Sequence, residues 1–213
     1  MKNRLTHPTM GKGYLTSPVG WRQWQGMPRH WHKGIDIALG GGHSCPIVAA
    51  AAGLVVTVLP EAQGQGYGDL IQLQHDGGKL VTLYAHLKAG STRVKVGDTV
   101  QAGQHIADMG DTGSPGSVHL HFEVKTSQAW GNGPNSNWLE PLTYIAGGWE
   151  WALGGARQGE KSARIRGLQR LLHDAGARVS IDGHWGPITQ AAVIAAVGST
   201  DINAIASWAR RVS

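Results

Sequence analysis

Residues 118 to 124 read VHLHFEV, with apolar and polar positions in alternation. In an extended strand this sends Val118, Leu120, Phe122 and Val124 to one face and His119, His121 and Glu123 to the other. The first face suits a core and the second suits chemistry. Short apolar or alternating runs separated by glycine-rich turns continue from about residue 14 to 145, including IVAAAAGLVVTVL and DLIQLQH. In HDGGKLVTLYAHL an Asp-Gly-Gly turn leads into a strand expected to set Leu80, Thr82, Tyr84 and His86 on one face. VKVGDTVQAGQHIADMG swings between further short strands. This pattern predicts a mainly β, antiparallel domain over residues 1–146.

After residue 145 the period changes. GGWEWALGGARQG is glycine-rich at both ends and reads as a linker over 147–158, with Trp149 and Trp151 packing on a neighbouring domain. Beyond it Ile165, Leu168, Leu171, Leu172 and Ala175 recur at helical spacing. Pro187 suits the first turn of a second helix, and Asp201 suits the N-cap of a third that carries Ile202, Ile205 and Trp208. Residues 159–213 are thus expected to form a small all-α three-helix domain, suited to binding.

Composition narrows the function classes. The chain has 213 residues, 41% of them hydrophobic and 15% charged, with a net charge of +5. That balance favours an anionic partner such as nucleic acid, a membrane surface or an envelope polymer, but no long Lys/Arg run or nucleic-acid-reading motif singles out the first. The single cysteine, Cys45, excludes an internal disulfide and a zinc site built from thiolates, and is expected to be a buried apolar residue. No apolar segment follows MKNRLTHPTMGKGYLT, so neither signal peptide nor membrane anchor is expected.

The chemistry-bearing residues cluster in two motifs. HWHKGIDIA supplies His32 and Asp36, VHLHFEV supplies His119 and His121, and LYAHL ends on His86. Two imidazoles and one carboxylate are a common ligand set for catalytic zinc with an open fourth position. Spacing alone does not choose between His119 and His121, and His30 forms a competing H-x-H with His32. There is no H-E-x-x-H, so a histidine, with an ordinary pKa near 6.5, is the natural general base.

In order and spacing GWR, HKGIDIA, GYGDLIQLQHDGGKLVTLYAHL and VKVGDTVQAGQHIADMGDTGSPGSVHLHFEV resemble the lysostaphin-type zinc endopeptidases, which cut peptide bonds in bacterial peptidoglycan. The likeness spans about residues 14 to 145. It implies Zn²⁺ held by His32, Asp36 and His121, with His119 as the catalytic base and His86 orienting water or stabilising the tetrahedral oxyanion. Zinc would lower the pKa of water to about 7 and polarise the scissile carbonyl. Relatives place a tyrosine upstream of the first ligand, and GWRQWQGMPRHWH has none. Arg22 matches an arginine common at that position and either donates to substrate or braces the loop. Trp130 and Trp138, in TSQAWGNGPNSNWLEP, either hold a stem peptide or glycan or pack the loop down.

RGLQRLLHDAG and IDGHWGPITQAAV resemble a three-helix peptidoglycan-binding domain through Leu168, Gln169, Leu172, Asp182, Gly183, Gly186 and Thr189, and depart from it at IAAVGSTD. Arg166, Gln169, Arg170 and Trp185 are the candidates there for contact with the wall, Trp185 being also a candidate for core. Together the two resemblances imply a peptidoglycan endopeptidase; D-alanyl to diaminopimelate crosslinks are expected first, since nothing marks an oligoglycine-recognition module, and glycyl bridges second, and a monomer is the default expectation. Its partner is peptidoglycan rather than nucleic acid, and its place the periplasm or outside, reached through a holin or on a virion as for a phage endolysin. The rival is a metal-free, degenerate peptidase fold that binds wall or activates another hydrolase, whose mark would be substituted ligands. A biotinyl- or lipoyl-like carrier, suggested by the glycine turns after Val94, lacks a lysine at a hairpin tip.

Overall fold

The computed structural model describes residues 2, 4–23, 28–130 and 136–212. Its strands are β1 (Tyr14–Ser17), β2 (Gly20–Arg22), β3 (His30–His32), β4 (Ile35–Ala38), β5 (Pro46–Val48), β6 (Gly53–Leu59), β7 (Asp69–His75), β8 (Leu80–Leu87), β9 (Thr99–Val100), β10 (His105–Asp108), β11 (Leu120–Lys125) and β12 (Trp138–Leu139). The main sheet runs β1-β4-β11-β8-β7-β6-β9, with β12 joined to β11, while β10 pairs β5 and β2 pairs β3. Every strand pair is antiparallel. The sheet-rich part precedes the helices, as the hydrophobic pattern predicts.

β11 lies between β4 and β8 and fixes the site. Its register sets His121 opposite Asp36 on one side and opposite Ala85 on the other. Leu120, Phe122 and Val124 are fully buried on the core face with Ile35, Ile37 and Tyr84. The Tyr84 ring packs 5.3 Å from Phe122, and its hydroxyl accepts the Ala50 N–H at 2.7 Å, so its polar tip is satisfied inside the core. A smaller cluster of Leu70, Leu83 and Ala85 with Tyr67 lies apart from the main core.

The face expected for β8 needs one correction. Tyr84 is in the core, but the His86 ring lies 4.5 Å from His119 and 6.1 Å from His121. Regular alternation would have put Tyr84 and His86 together. The β7–β8 register shifts between Asp69 and Ile71, and His86 takes a φ of 55°, so the strand turns over at its end. A non-glycine residue in the left-handed region is strained, and such strain collects at functional sites.

The helices are α1 (Pro141–Tyr144), α2 (Gly148–Leu153), α3 (Ala163–Asp174), α4 (Pro187–Val197) and α5 (Ile202–Val212). Pro187 opens α4, and Asp201 Oδ1 accepts the N–H groups of Asn203 and Ala204, the N-cap expected of it. The stretch read as a linker contains α2. Trp149, Ala152 and Leu153 are buried there, and the Trp151 indole donates to Gly11 O at 3.2 Å. Six residues between glycines show too little periodicity to announce a helix; tertiary packing makes it. Ile165, Leu168, Trp185, Val193, Ile205 and Trp208 share one continuous hydrophobic core with the sheet.

The Asp-Gly turn of the helical part is organised by Gln169. Its buried amide donates to Asp182 Oδ1 (2.7 Å), His184 O (3.0 Å) and Thr189 Oγ1 (2.9 Å) and accepts the Gly183 N–H (2.7 Å). The residues that carry the helical resemblance are therefore tied together from within. Gln169, a candidate for wall contact, is a buried structural residue instead, and Trp185 is buried in the core, the second of the two places expected for it. No single helix among the described residues is long and apolar enough to cross a membrane.

Candidate metal centre

His32 ends β3, Asp36 lies in β4 and His121 lies in β11. His32 Nε2, Asp36 Oδ1 and His121 Nδ1 form a triangle with sides of 3.1, 2.9 and 2.9 Å. All three residues are buried, and they make up the group of metal-ligating side chains found among the described residues. Donors about 2.0 Å from a tetrahedral zinc are separated by roughly 3.3 Å, so this triangle is close to one face of such a site. His30 stays outside it: its Nε2 accepts from Arg22 Nε at 2.9 Å.

Hydrogen bonding explains why these particular atoms converge. His32 Nδ1–H donates to Pro18 O at 2.8 Å, which leaves Nε2 with a lone pair. His121 is reversed: Nε2–H donates to Glu123 Oε1 at 3.1 Å, leaving Nδ1 as the free nitrogen. Glu123 accepts in turn from the Tyr67 hydroxyl at 2.7 Å. Asp36 Oδ2 takes the Arg22 guanidinium at 2.9 Å, so Oδ1 is the oxygen left to the triangle. Two nitrogens and a carboxylate oxygen facing one another form a donor set that fits zinc.

The electrostatics of the bare protein agree. Burial would raise the Asp36 carboxyl, but the facing His32 and His121 imidazoles hold it well below the usual carboxylate range. Burial likewise opposes charge on His121, yet its bonds to Asp36 and Glu123 lift it to about 9. Glu123 is buried too, and the His121 bond and charge bring it down to about 2. Burial lowers His32. Without metal, these interactions favour a proton on His121 between Asp36 and Glu123.

The other two histidines present a matching pair of lone pairs. His119 Nδ1–H donates to Ser117 O at 2.6 Å and its Nε2 stands 3.9 Å from Asp36 Oδ1. His86 Nδ1–H donates to Thr112 O at 2.8 Å, and burial, with His121 nearby, lowers its pKa to about 4. Both rings therefore turn a bare Nε2 away from their backbone anchors. Gly68 makes room for the Thr112 anchor: its φ is +64°, and a Cβ there would run into the Thr112 backbone. Gly34, inside HKGID, is equally constrained, since a Cβ would collide with Phe122 O on β11.

Of the expected substrate contacts, Arg22 spends its donors on the protein. It bonds Asp36, Ser17 Oγ at 3.1 Å and His30, which is the bracing alternative. Trp130 and Trp138 separate to different surroundings. Trp130 is 44% exposed, with Lys125 Nζ 5.1 Å over its ring and Tyr67 5.5 Å away. Trp138 sits in β12, 5.2 Å from Trp31 and under the Arg170 guanidinium. Sequence reasoning named neither Glu123 nor Tyr67 for the site. Glu123 had a signal, because it shares the polar face of β11 with His121, in alternation with His119 just before the strand. Tyr67 had none, since only the fold brings it beside His121, 5.5 Å between rings.

A model of peptidase family M23 matches residues 30–135. The structure of LytU is 30% identical with a TM-score of 0.51, over 66% of this chain and 91% of that one. The chain belongs to peptidase family M23. Lysostaphin from Staphylococcus simulans, an antimicrobial peptidase, matches with a TM-score of 0.55 and 25% identity, over 72% of this chain and 57% of that one. The murein hydrolase activator NlpD of Salmonella typhimurium is 35% identical over 129 residues, 56% of this chain and 32% of that protein. The chain spans about a third of the length of the first curated relatives it matches, two of which are named lipoproteins.

Proposed function

We propose that this M23 chain is a zinc-dependent endopeptidase that hydrolyses peptide crosslinks of bacterial peptidoglycan, D-alanyl to diaminopimelate bonds first. One observation carries the reading: the ligand triangle of His32, Asp36 and His121 is complete, and two further histidines stand beside it with bare Nε2 atoms. His32, Asp36 and His121 would hold the zinc, which would supply Lewis acidity to polarise a carbonyl oxygen and acidify water.

The protein's own groups do the rest. His119 Nε2 accepts the proton of the attacking water and returns it to the leaving amine, the Ser117 carbonyl fixing its tautomer and stabilising the positive charge that forms. His86, with Nδ1–H committed to Thr112, offers Nε2 as an acceptor. It therefore orients water rather than donating to an oxyanion. Arg22 holds Asp36 in place and Glu123 holds His121.

Activation of another hydrolase is the second reading, favoured by the relative named as an activator. Work at the cell envelope is supported by the relatives named as lipoproteins. The phage-lysin reading rests on the sequence plan alone.

The test is zinc content and clearance of purified sacculi for wild type, His121→Ala and His119→Ala. The endopeptidase reading expects about one zinc per chain and clearance in wild type, metal loss in His121→Ala, and metal without activity in His119→Ala. Intact sacculi with a zinc-free wild type would leave the activator reading.

A further inference from the structure

A groove of about 530 Å³ runs between the sheet and α3, and its edge is one side chain from the metal ligands, since Arg22 both lines it and holds Asp36. Trp21, 48% exposed, and the half-buried Trp31 and Trp138 supply its aromatic surface. Arg22 and Arg29 line it from the peptidase part, Arg166 and Arg170 from α3. Asp174, its lining carboxylate, is engaged by Arg170 at 3.3 Å. Arg170 in turn lies over Trp31, 4.6 Å from the ring, and over Trp138, so it clamps the helical part to the peptidase part.

The charges of the groove are unbalanced. Arg29 and Arg166 are exposed and have no carboxylate partner among the described residues. Arg29 is held over Trp21 at 4.9 Å, which orders a guanidinium beside an open aromatic surface. Guanidinium groups at the two sides of an aromatic floor match an extended peptide with carboxylates along it, because each can take a carboxylate in bidentate fashion. A neutral peptide would leave both unused.

Resting on the function proposed above, we infer that this composite groove binds the carboxylate-bearing stem peptide of a muropeptide, with Arg29 and Arg166 on its carboxylates and Trp21 against its apolar stem. The helical part then completes the substrate site rather than serving only as a separate tether. Neither part of the chain holds the whole groove.

The test uses the full chain, metal-free and zinc-loaded. Binding of a soluble disaccharide-tetrapeptide to the metal-free protein is measured for wild type, Arg166→Gln and the Arg29→Gln/Arg166→Gln pair, and again with the probe's carboxylates amidated. The expected result is saturable binding to wild type, weaker by about tenfold in the pair and for the amidated probe, with an unchanged melting midpoint and zinc stoichiometry. In the loaded protein the loss falls on KM for a crosslinked muropeptide. No saturable binding to wild type, equal binding by the pair, equal binding of the amidated probe, or tighter binding of an oligonucleotide of the same charge would each overturn the groove assignment. Probe binding without hydrolysis of the crosslinked muropeptide would instead overturn the endopeptidase reading alone.

Discussion

Nε2 of His121 and Oε1 of Glu123 lie 3.1 Å apart on one face of the same strand, and the Tyr67 hydroxyl donates to that same carboxylate oxygen at 2.7 Å. This arrangement decides which nitrogen of His121 is bare. A buried carboxylate on Nε2–H fixes the ring orientation and makes Nδ1 a stronger donor to a cation. Glu123→Gln keeps the shape but removes the charge. It should lower zinc affinity by about 10- to 100-fold, read by competition with a chromophoric chelator, while the circular dichroism spectrum stays that of the wild type. Unchanged affinity would mean that Glu123 serves only packing.

Gly34 matters for a different reason. It separates His32 from Asp36 at the point where the chain passes Phe122 O, and a Cβ there would push β4 away from β11. Gly34→Ala should cost about 2–3 kcal/mol of stability and also reduce zinc stoichiometry, because Asp36 and His121 are register partners across that pair of strands. Denaturant unfolding and metal analysis on the same preparation check both. A stable variant with full zinc would show that the strands tolerate the added methyl group.

Much of this site was legible before any coordinates. Period-two alternation placed His119, His121 and Glu123 on one face correctly because β11 is regular and its other face is core. The same rule failed at His86, where a register shift and a left-handed residue reverse the side on which a strand-end ring emerges. Pairwise geometry across the sheet, such as His121 opposite Asp36, is a product of register and has no local signal. The helical part was legible as helices, but burial of Gln169 and the clamp of Arg170 on two tryptophans depend on how α3 meets its neighbours. Polar residues read as surface were partly structural for that reason.

Gln169 offers a direct measure of that distinction. Its amide satisfies one buried backbone N–H and three acceptors around the Asp-Gly turn. Gln169→Leu leaves the buried Gly183 N–H unpaired beside an apolar chain, while Asp182 Oδ1 keeps the His184 N–H and His184 O keeps the Thr189 hydroxyl, so the variant should lose about 1–3 kcal/mol, whereas Arg166→Ala, on an exposed position of the same helix, should change stability by less than about 0.5 kcal/mol. Chemical denaturation of the two variants separates a turn organiser from a surface residue. Equal small losses would refute the hub assigned to Gln169.

His7 sets part of the acid limit of the fold. Its ring is buried edge-on against Trp151 at 4.4 Å, its Nδ1 accepts the Thr9 N–H at 3.3 Å, and burial pushes its pKa down to about 4 from 6.5. The unfolded chain then binds more protons than the folded one between these two values, so stability rises with pH across that window. The contribution is complete above pH 6.5 and is lost as pH falls toward 4, by up to about 3 kcal/mol. His32, His75 and His86 are lowered by burial as well and add to the same slope. The difference between wild type and His7→Gln isolates this residue, because the variant cannot titrate there. As the pH falls from 7 to 4, the unfolding free energy of the wild type should drop relative to that of the variant, by up to about 3 kcal/mol. Parallel curves would mean that His7 protonates in the folded protein as readily as in the unfolded chain.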